Sequence, residues 1–587
     1  MSGPTFGPRL TRTGIAFRFW APAAQRVDLL LGRVPHPMQR RDGGWFAVDV
    51  AGAKAGARYR FLIDGERDVP DPASAFQPED VFGPSEVVDH DAFEWRARDW
   101  RGRPWEQTVL VESHVGTFTR EGSFRAMIDR LDHLVETGIT ALELMPVADF
   151  SGRRGWGYDG VLWYAPDSSY GRPEDLKTLI DEAHLRGLMV FLDVVYNHFG
   201  PEGNFLHHYA PSFFTDAQTP WGGAIDYRVD EVRAFAIESA LSWLSDYRID
   251  GLRFDAVNHI VTAPSEISML HDLSVAAGQL AAETGRHLHL MLENGDNIAS
   301  LLDERQDPPR GKFRAQWNDD YHHAFHVLLT GESQGYYSDF QRDPLRDIAR
   351  SLSSGFVYQG EFATFWNKQR GEPSSALSPA SFVNFLQNHD QVGNRPFGER
   401  LESLADPAAI EAALAITLLA PAIPMLFMGE EWGARTPFRF FCDFAGDLAD
   451  AVRQGRRREY DWAYRKYGDD VPDPLDARTF ESSKLDWDGC DRESGKARLR
   501  LVRELLSLRR REIVPRLAGA AFGEAHVSND RIVSASWRMG DGTRLGLLAN
   551  LSPKAVAHDA RAAESTPIWG DEPESVLPAW SVHWRLG

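Results

Sequence analysis

Cysteine is almost absent from this chain of 587 residues: only Cys442 and Cys490 occur. A disulfide-stapled architecture is excluded, and two thiols in so long a chain predict a reducing, cytoplasmic setting. No signal core follows Met1, where the sequence reads Ser2-Gly3-Pro4-Thr5-Phe6-Gly7-Pro8. The longest apolar stretch, Ala412 to Met428, is interrupted by Pro421 and Pro424. It reads as a helix followed by a buried strand, not as a membrane span. Basic charge is also scarce, with 64 Lys and Arg against 85 Asp and Glu, a formal net charge of −21. Such a surface repels nucleic acid and anionic lipid, so neither is an expected partner, whereas a neutral polymer such as a sugar is allowed. Internal repeats and low-complexity tracts are missing too.

What is present is ordinary for a large globular protein: 43% hydrophobic and 25% charged residues. The length allows about three or four domains. Eighteen Trp residues supply flat aromatic faces of the kind on which sugar C–H faces stack.

The first hundred residues predict a β-sandwich. Ile15, Phe17 and Phe19 alternate with other residues, as do Val27, Leu29 and Leu31, and Tyr59, Phe61 and Ile63, the last set stopping at the hairpin signal Asp64-Gly65. A Pro-rich stretch from Asp68 to Pro84 is then expected to cross to the next domain. From about Val109 strands alternate with helices. Strands are expected at Val109–Glu112, Thr140–Met145 and Met189–Asp193, then ending at Asp255, Glu293, near Trp317, at Asn388 and at Phe427. Helical spacing joins Phe124, Met127, Ile128, Leu131, Leu134 and Val135, then Leu176, Leu179, Ile180 and Ala183, then Val232, Phe235, Ala236, Ser239 and Trp243. Eight βα units predict a (β/α)₈ barrel over about residues 101–513, with a short insertion at about 199–230; a doubly wound sheet is the competing α/β arrangement. The last barrel helix is expected over about Lys496 to Arg511. Residues 514–587 predict a small all-β domain with a turn at Asp541-Gly542.

Three carboxylates, Asp255, Glu293 and Asp390, each end an apolar run. In a barrel such residues are delivered to one rim, where side chains from distant strands converge. A lone Asp in that position is commonly a turn or cap residue, but three together fit glycoside hydrolysis. That reaction needs one carboxylate at the anomeric carbon and one protonated acid at the leaving oxygen. Arg253 lies two residues before Asp255 and leaves the same strand face, where it would hold the carboxylate ionised and oriented. Glu293, crowded by Asp255 and Asp390, is expected to have a raised pKa through like-charge repulsion. Asn388-His389-Asp390 and the run Asp193 to His198 add hydrogen-bonding groups suited to sugar hydroxyls. His287-x-His289 has the spacing of a zinc-binding pair, but both residues sit mid-strand, so no metal site is expected.

Asp193 to His198, Gly251 to Asp255, Glu293 and Phe385 to Asp390 resemble, in order and spacing, the four signature regions of the α-amylase superfamily (glycoside hydrolase family 13). The resemblance spans the barrel. It implies Asp255 as nucleophile, Glu293 as general acid/base and Asp390 as the transition-state stabiliser gripping ring hydroxyls, in a retaining mechanism. Arg253, His198, His389 and Asn388 would line the same subsite, and Tyr158, in Gly155-Trp156-Gly157-Tyr158, resembles the family's stacking tyrosine. Asn197 matches a residue that binds calcium in many members. The segment after it is short for a calcium-holding subdomain, so no cofactor is expected.

Three segments, Asp71 to Asp89, Gln316 to His323 and Phe440 to Phe444, are similar to those of one group of the superfamily, the maltooligosyltrehalose trehalohydrolases. That resemblance implies hydrolysis of the α-1,4 bond next to a terminal trehalose unit, maltooligosyltrehalose and related α-1,4-glucans as substrates, and functional coupling to a maltooligosyltrehalose synthase. Trp221, Trp317, Asn318, Asp319 and His322 are then loop candidates for gripping the trehalose. The rival readings are a glycogen branching enzyme, a non-catalytic sugar-binding scaffold and a zinc-dependent amidohydrolase barrel.

Overall fold

The computed structural model describes residues 5–219, 221–260, 267–302, 313–558, 565–572 and 575–587. Eight parallel strands close into a barrel: β1 (Leu110–Ser113), β2 (Ala141–Leu144), β3 (Met189–Val194), β4 (Gly251–Phe254), β5 (His289–Leu292), β6 (Ala315–Trp317), β7 (Phe382–Asn384) and β8 (Ile423–Phe427). Closure is direct, since Leu110 of β1 pairs with Ala141 of β2 on one side and Met425 of β8 on the other. The expected (β/α)₈ architecture is therefore the one found, and a doubly wound open sheet is excluded. Strands buried on both faces explain the continuous apolar runs that announced them. Gly251 is required where β4 passes β3, because a Cβ there would sit 2.1 Å from the Phe191 ring.

Helices cover the barrel as the apolar spacing predicted. Pro173–Leu185 buries Leu176, Leu179, Ile180 and Ala183, and Asp230–Ser245 buries Val232, Phe235, Ala236, Ser239 and Trp243. The helix read from Phe124 to Val135 is two, Phe124–Ile128 and Leu131–Thr137, capped by Ser123 Oγ on the Ala126 amide (3.3 Å) and by left-handed Gly138. The final barrel helix, Glu493–Leu508, runs into a wider turn at Arg509–Ile513.

Ahead of the barrel, two antiparallel sheets face each other. Gly14–Trp20 pairs with Trp45–Ala51, and Val27–Leu31 pairs with Arg58–Ile63. Phe17 packs on Tyr59 (5.0 Å) and Phe19 on Phe61 (4.1 Å). The turn at Asp64-Gly65 has φ of 53° and 75°, the doubly left-handed pattern of a tight hairpin. The sandwich is packed directly against the barrel's surroundings: Phe6 meets Phe235, Phe19 meets Tyr209 and Trp20 meets Phe213. After the barrel, Ala521–Ser528, Ile532–Arg538, Arg544–Asn550, Val582–Leu586 and Thr566–Trp569 form a five-stranded antiparallel sheet with Trp537 stacked on Trp584.

Two expectations are corrected. The stretch from Asp68 to Pro84 does not leave the first domain: Ser85–Glu86 returns to pair with Arg58 and Tyr59. Strand β7 ends at Asn384, not Asn388. The Asn388 side chain accepts the amides of Asp390 (2.9 Å) and Gln391 (3.3 Å), which starts the short helix His389–Gly393. A further segment, unmarked by apolar periodicity, lies between β8 and the last barrel helix and contains the helices Gly446–Glu459 and Asp461–Tyr467.

Candidate active site

Arg253, on β4 and 1% exposed, is the hub of the rim. Its Nη1 donates to Asp193 Oδ2 (2.6 Å) and Asp255 Oδ1 (2.9 Å), and its Nη2 donates to Glu293 Oε2 (2.6 Å). The guanidinium lies over the Trp317 ring, 4.2 Å from its centroid. Carboxylates from β3 and from the ends of β4 and β5 are thus gathered on one cation. A buried cation with three charge-assisted partners is held in place far more rigidly than any single pair would be.

Asp255 has a second anchor. Asn197 Nδ2 donates to its Oδ2 (2.6 Å) and to its backbone carbonyl (3.0 Å). The next residue, Ala256, adopts φ 41°, unusual for a residue with a Cβ, and its amide donates to Glu293 Oε2 (3.0 Å). The strained turn therefore joins the Asp255 backbone to the Glu293 carboxylate.

Burial raises the pKa of Glu293; Arg253 opposes the rise and Asp255 adds to it. Like-charge repulsion, the cause expected from sequence, is thus secondary to burial. Burial also raises Asp255, while Arg253 and Asn197 favour its charged form. The interaction between the two carboxyls lowers Asp255 and raises Glu293, the direction that suits a nucleophile at the first and an acid at the second.

Asp390 and His389 face the same ring of charge. The His389 Nδ1–H donates to Glu112 Oε1, and its backbone N–H donates to Glu112 Oε2 (2.8 Å). Burial works against a charged His389, but Glu112 and Asp390 outweigh it and its pKa is raised. Asp390 is raised by burial, with His389 pulling it down and Glu293 pushing it up. Tyr158 stacks on His389 at 5.0 Å and donates its hydroxyl to Asp193 (2.7 Å). His198 faces the Tyr158 carbonyl with Nε2 (2.9 Å) and Asn197 Oδ1 with Nδ1, and burial lowers its pKa to about 4.

Of the five loop candidates, Trp317 is not in a loop: it ends β6 and is buried against Arg253. The other four divide into two groups. Trp221 sits at the turn between Phe214–Thr219 and Gly222–Ile225, stacked on His198 (4.6 Å) and 43% exposed. Asp319 begins the helix Asp319–Thr330 close to Glu293 and Asp390; burial and those two acids push its pKa up to about 8. Asn318 and His322, by contrast, spend their polar atoms inside the fold. Asn318 donates to Asn384 Oδ1 (3.0 Å), Ser351 Oγ (3.3 Å) and the Gly355 carbonyl (3.2 Å). His322 bonds the Leu386 carbonyl (2.7 Å) and the Tyr337 hydroxyl (3.0 Å). His289 bonds the Arg103 carbonyl (2.8 Å) away from the rim, and no group of three His, Cys, Asp or Glu that could hold a metal occurs among the described residues.

Sequence reasoning missed Asp193 and Asn197 as partners of Arg253 and Asp255, and Glu112 as the partner of His389. Both Asp193 and Asn197 stood inside a quoted run, whereas Glu112 carried only the signal of an acid near the end of the first barrel strand.

Residues 4–78 match carbohydrate-binding module 48 (the isoamylase N-terminal domain), residues 94–221 the α-amylase catalytic domain, and residues 520–584 a domain of unknown function. A malto-oligosyltrehalose trehalohydrolase of Deinococcus radiodurans is 44% identical over 85% of this chain and 82% of that one. The chain belongs to the malto-oligosyltrehalose trehalohydrolase family. A second member, from Saccharolobus solfataricus, is 42% identical over 82% of this chain and 84% of its own length. A crystal structure from Salmonella typhimurium described as an alpha amylase superposes with a TM-score of 0.92 at 45% identity, covering 99% of both chains. This family lies within the glycoside hydrolases of the α-amylase superfamily, as the four motifs implied.

Proposed function

We propose that the protein hydrolyses the α-1,4-glucosidic bond beside the terminal trehalose of maltooligosyltrehalose, with retention at the anomeric carbon. Trehalose and a shortened maltooligosaccharide are the products. The observation that carries this reading is the single guanidinium of Arg253 bonded to both Asp255 and Glu293, which supports their acting as nucleophile and acid on one scissile bond.

In the first half-reaction Asp255 attacks the anomeric carbon, and the bond to the leaving oxygen breaks as Glu293 gives that oxygen its proton. Trehalose departs and a glycosyl ester on Asp255 remains. In the second, Glu293, now ionised, takes a proton from water; the hydroxide oxygen bonds to the anomeric carbon, and the Asp255 carboxylate is released. Asp390 and cationic His389 hold hydroxyls of the reacting glucose, and the Tyr158 ring lies beneath it. No step calls for a cofactor.

The exposed Trp221 ring and the Asp319 carboxyl are the trehalose-side contacts we favour. Discrimination against plain maltooligosaccharides follows if polar groups there pair only with the α,α-1,1-linked end, since each left unpaired costs about 1–3 kcal/mol. Such a substrate implies a preceding synthase that rearranges the reducing end of an α-1,4-glucan, in trehalose biosynthesis. Cys442 and Cys490 are both free, which supports a cytoplasmic setting. No helix among the described residues is long and apolar enough to cross a membrane.

The test is to supply maltotriosyltrehalose and maltopentaose separately and identify the products. Trehalose from the first with little turnover of the second is expected. Glucose or maltose as the main product of both would point to a general amylase, and new α-1,6 branches on amylose to a transferase.

A further inference from the structure

The segment between β8 and the last barrel helix has no part in the mechanism above, yet it reaches the carboxylate of Asp390 through one side chain. Asn394, one residue past the helix His389–Gly393, donates from Nδ2 to Asp390 Oδ1 at 2.6 Å. Its own Oδ1 accepts from Arg456 Nη1 (3.1 Å) and Nη2 (3.2 Å), and its backbone carbonyl accepts the Tyr460 hydroxyl. Arg456, on the helix Gly446–Glu459, is itself fixed by the Phe440 ring 3.9 Å from its guanidinium carbon and by Glu459 at 3.0 Å.

An amide side chain has two nearly isosteric ends, one that only donates and one that only accepts. A guanidinium can only donate, so Arg456 must face the oxygen end. The nitrogen end is then compelled to face Asp390. On the other flank, Arg395 pairs twice with Glu332, at 2.6 and 2.9 Å, anchoring the same loop without touching Asp390.

We infer that Asn394 is a positioning residue for Asp390, and that Arg456 and Tyr460 set the orientation of its amide. This rests on the reading of Asp390 as the group that grips the reacting glucose. An N–H aimed at a carboxylate favours its charged form. It also restrains the rotamer of the Asp390 side chain. The charged and titratable groups around Asp390 are His389, Glu112, Glu293, Arg253, Asp319 and Tyr336. His389 and Arg253 pull it toward the charged state, and the Asn394 N–H adds a hydrogen bond to the same carboxylate.

The test compares Asn394→Ala, Asn394→Asp, Arg456→Met and Asp390→Asn by kcat/KM against pH with maltotriosyltrehalose. For Asn394→Ala, kcat/KM is expected to fall about tenfold to a hundredfold, mostly in kcat, with the acid limb moved to higher pH because Asp390 protonates sooner. Asn394→Asp keeps the shape and gains an ion pair with Arg456, so its melting temperature stays near the parent's. It nonetheless sets a carboxylate against Asp390 and is expected to be less active than Asn394→Ala. Arg456→Met should give a smaller loss with the same direction of shift, and adding it to Asn394→Ala should cost nothing further. Parental activity and an unmoved acid limb in Asn394→Asp and Arg456→Met, with Asp390→Asn inactive, would overturn the inference. Parental activity in Asp390→Asn would instead overturn the catalytic reading beneath it. If Asn394→Ala fails to fold, the other two variants decide.

Discussion

Replacing Glu293 by Gln isolates the proton from everything else the residue does. The Gln carbonyl oxygen can still accept from Arg253 Nη2 and the Ala256 amide, which lie 2.6 and 3.0 Å from the native carboxylate oxygen. The nucleophile's two supports, Arg253 and Asn197, are untouched. What disappears is the acid at the leaving oxygen, for which a loss of about 10²–10⁴-fold is expected. At 1.36 kcal/mol per decade this is about 2.7–5.4 kcal/mol of barrier. The assay is trehalose release from maltotriosyltrehalose beside fluoride release from α-maltosyl fluoride, whose leaving group needs no proton. Glu293→Gln should form the glycosyl ester from the fluoride quickly and hydrolyse it slowly, because water activation also needs Glu293. Intact mass spectrometry should then show one glycosyl group retained on the protein. A loss below tenfold on maltotriosyltrehalose, or a first-turnover burst of fluoride slowed as much as trehalose release, would refute the assignment.

Other outcomes follow from the same geometry. Arg253→Met strips buried Asp193 and Asp255 and half-buried Glu293 of their shared cation, so thermal unfolding should move down by the equivalent of about 3–5 kcal/mol, with activity lost; an unchanged melting temperature would count against the hub. Glu112→Gln removes the charge that holds His389 protonated against burial, so His389 loses its proton at lower pH. The alkaline limb of kcat/KM should move down accordingly, and an upward shift would contradict the sign. Prolonged dialysis against a chelator should leave trehalose release intact, whereas loss restored by calcium would reinstate the role of Asn197 as a metal ligand.

The barrel was legible because its strands are buried on both faces, which forces long apolar runs, and because strand ends must turn at the rim. Asp255 and Glu293 could be found for that reason. The pairings around them could not: Asn197 stood in a quoted run but reaches Asp255 across 58 positions, and Glu112, an acid at the end of the first strand, reaches His389 across 277. The end of β7 was misjudged because Phe385 and Leu386 remain buried after the strand has stopped, extending the apolar run past its hydrogen bonds. Asn318 looked like a loop residue for the substrate, yet it caps the helix Asp319–Thr330 with its own oxygen facing the Tyr321 amide. The Gly446–Glu459 helix escaped notice because it buries only Ala449 and so shows no apolar stripe.

The seam between the first sandwich and the barrel has an architectural consequence. Phe6, Phe19 and Trp20 are spent on Phe235, Tyr209 and Phe213, in the segment that leads from His198 past Trp221 to the next barrel helix. The two units are welded, not strung together like beads. Separating them would lay bare two matching greasy faces, a recipe for clumping. A module on a loose tether could be trimmed away or swapped between enzymes; this one cannot, because it is the wall against which one shoulder of the cleft is built.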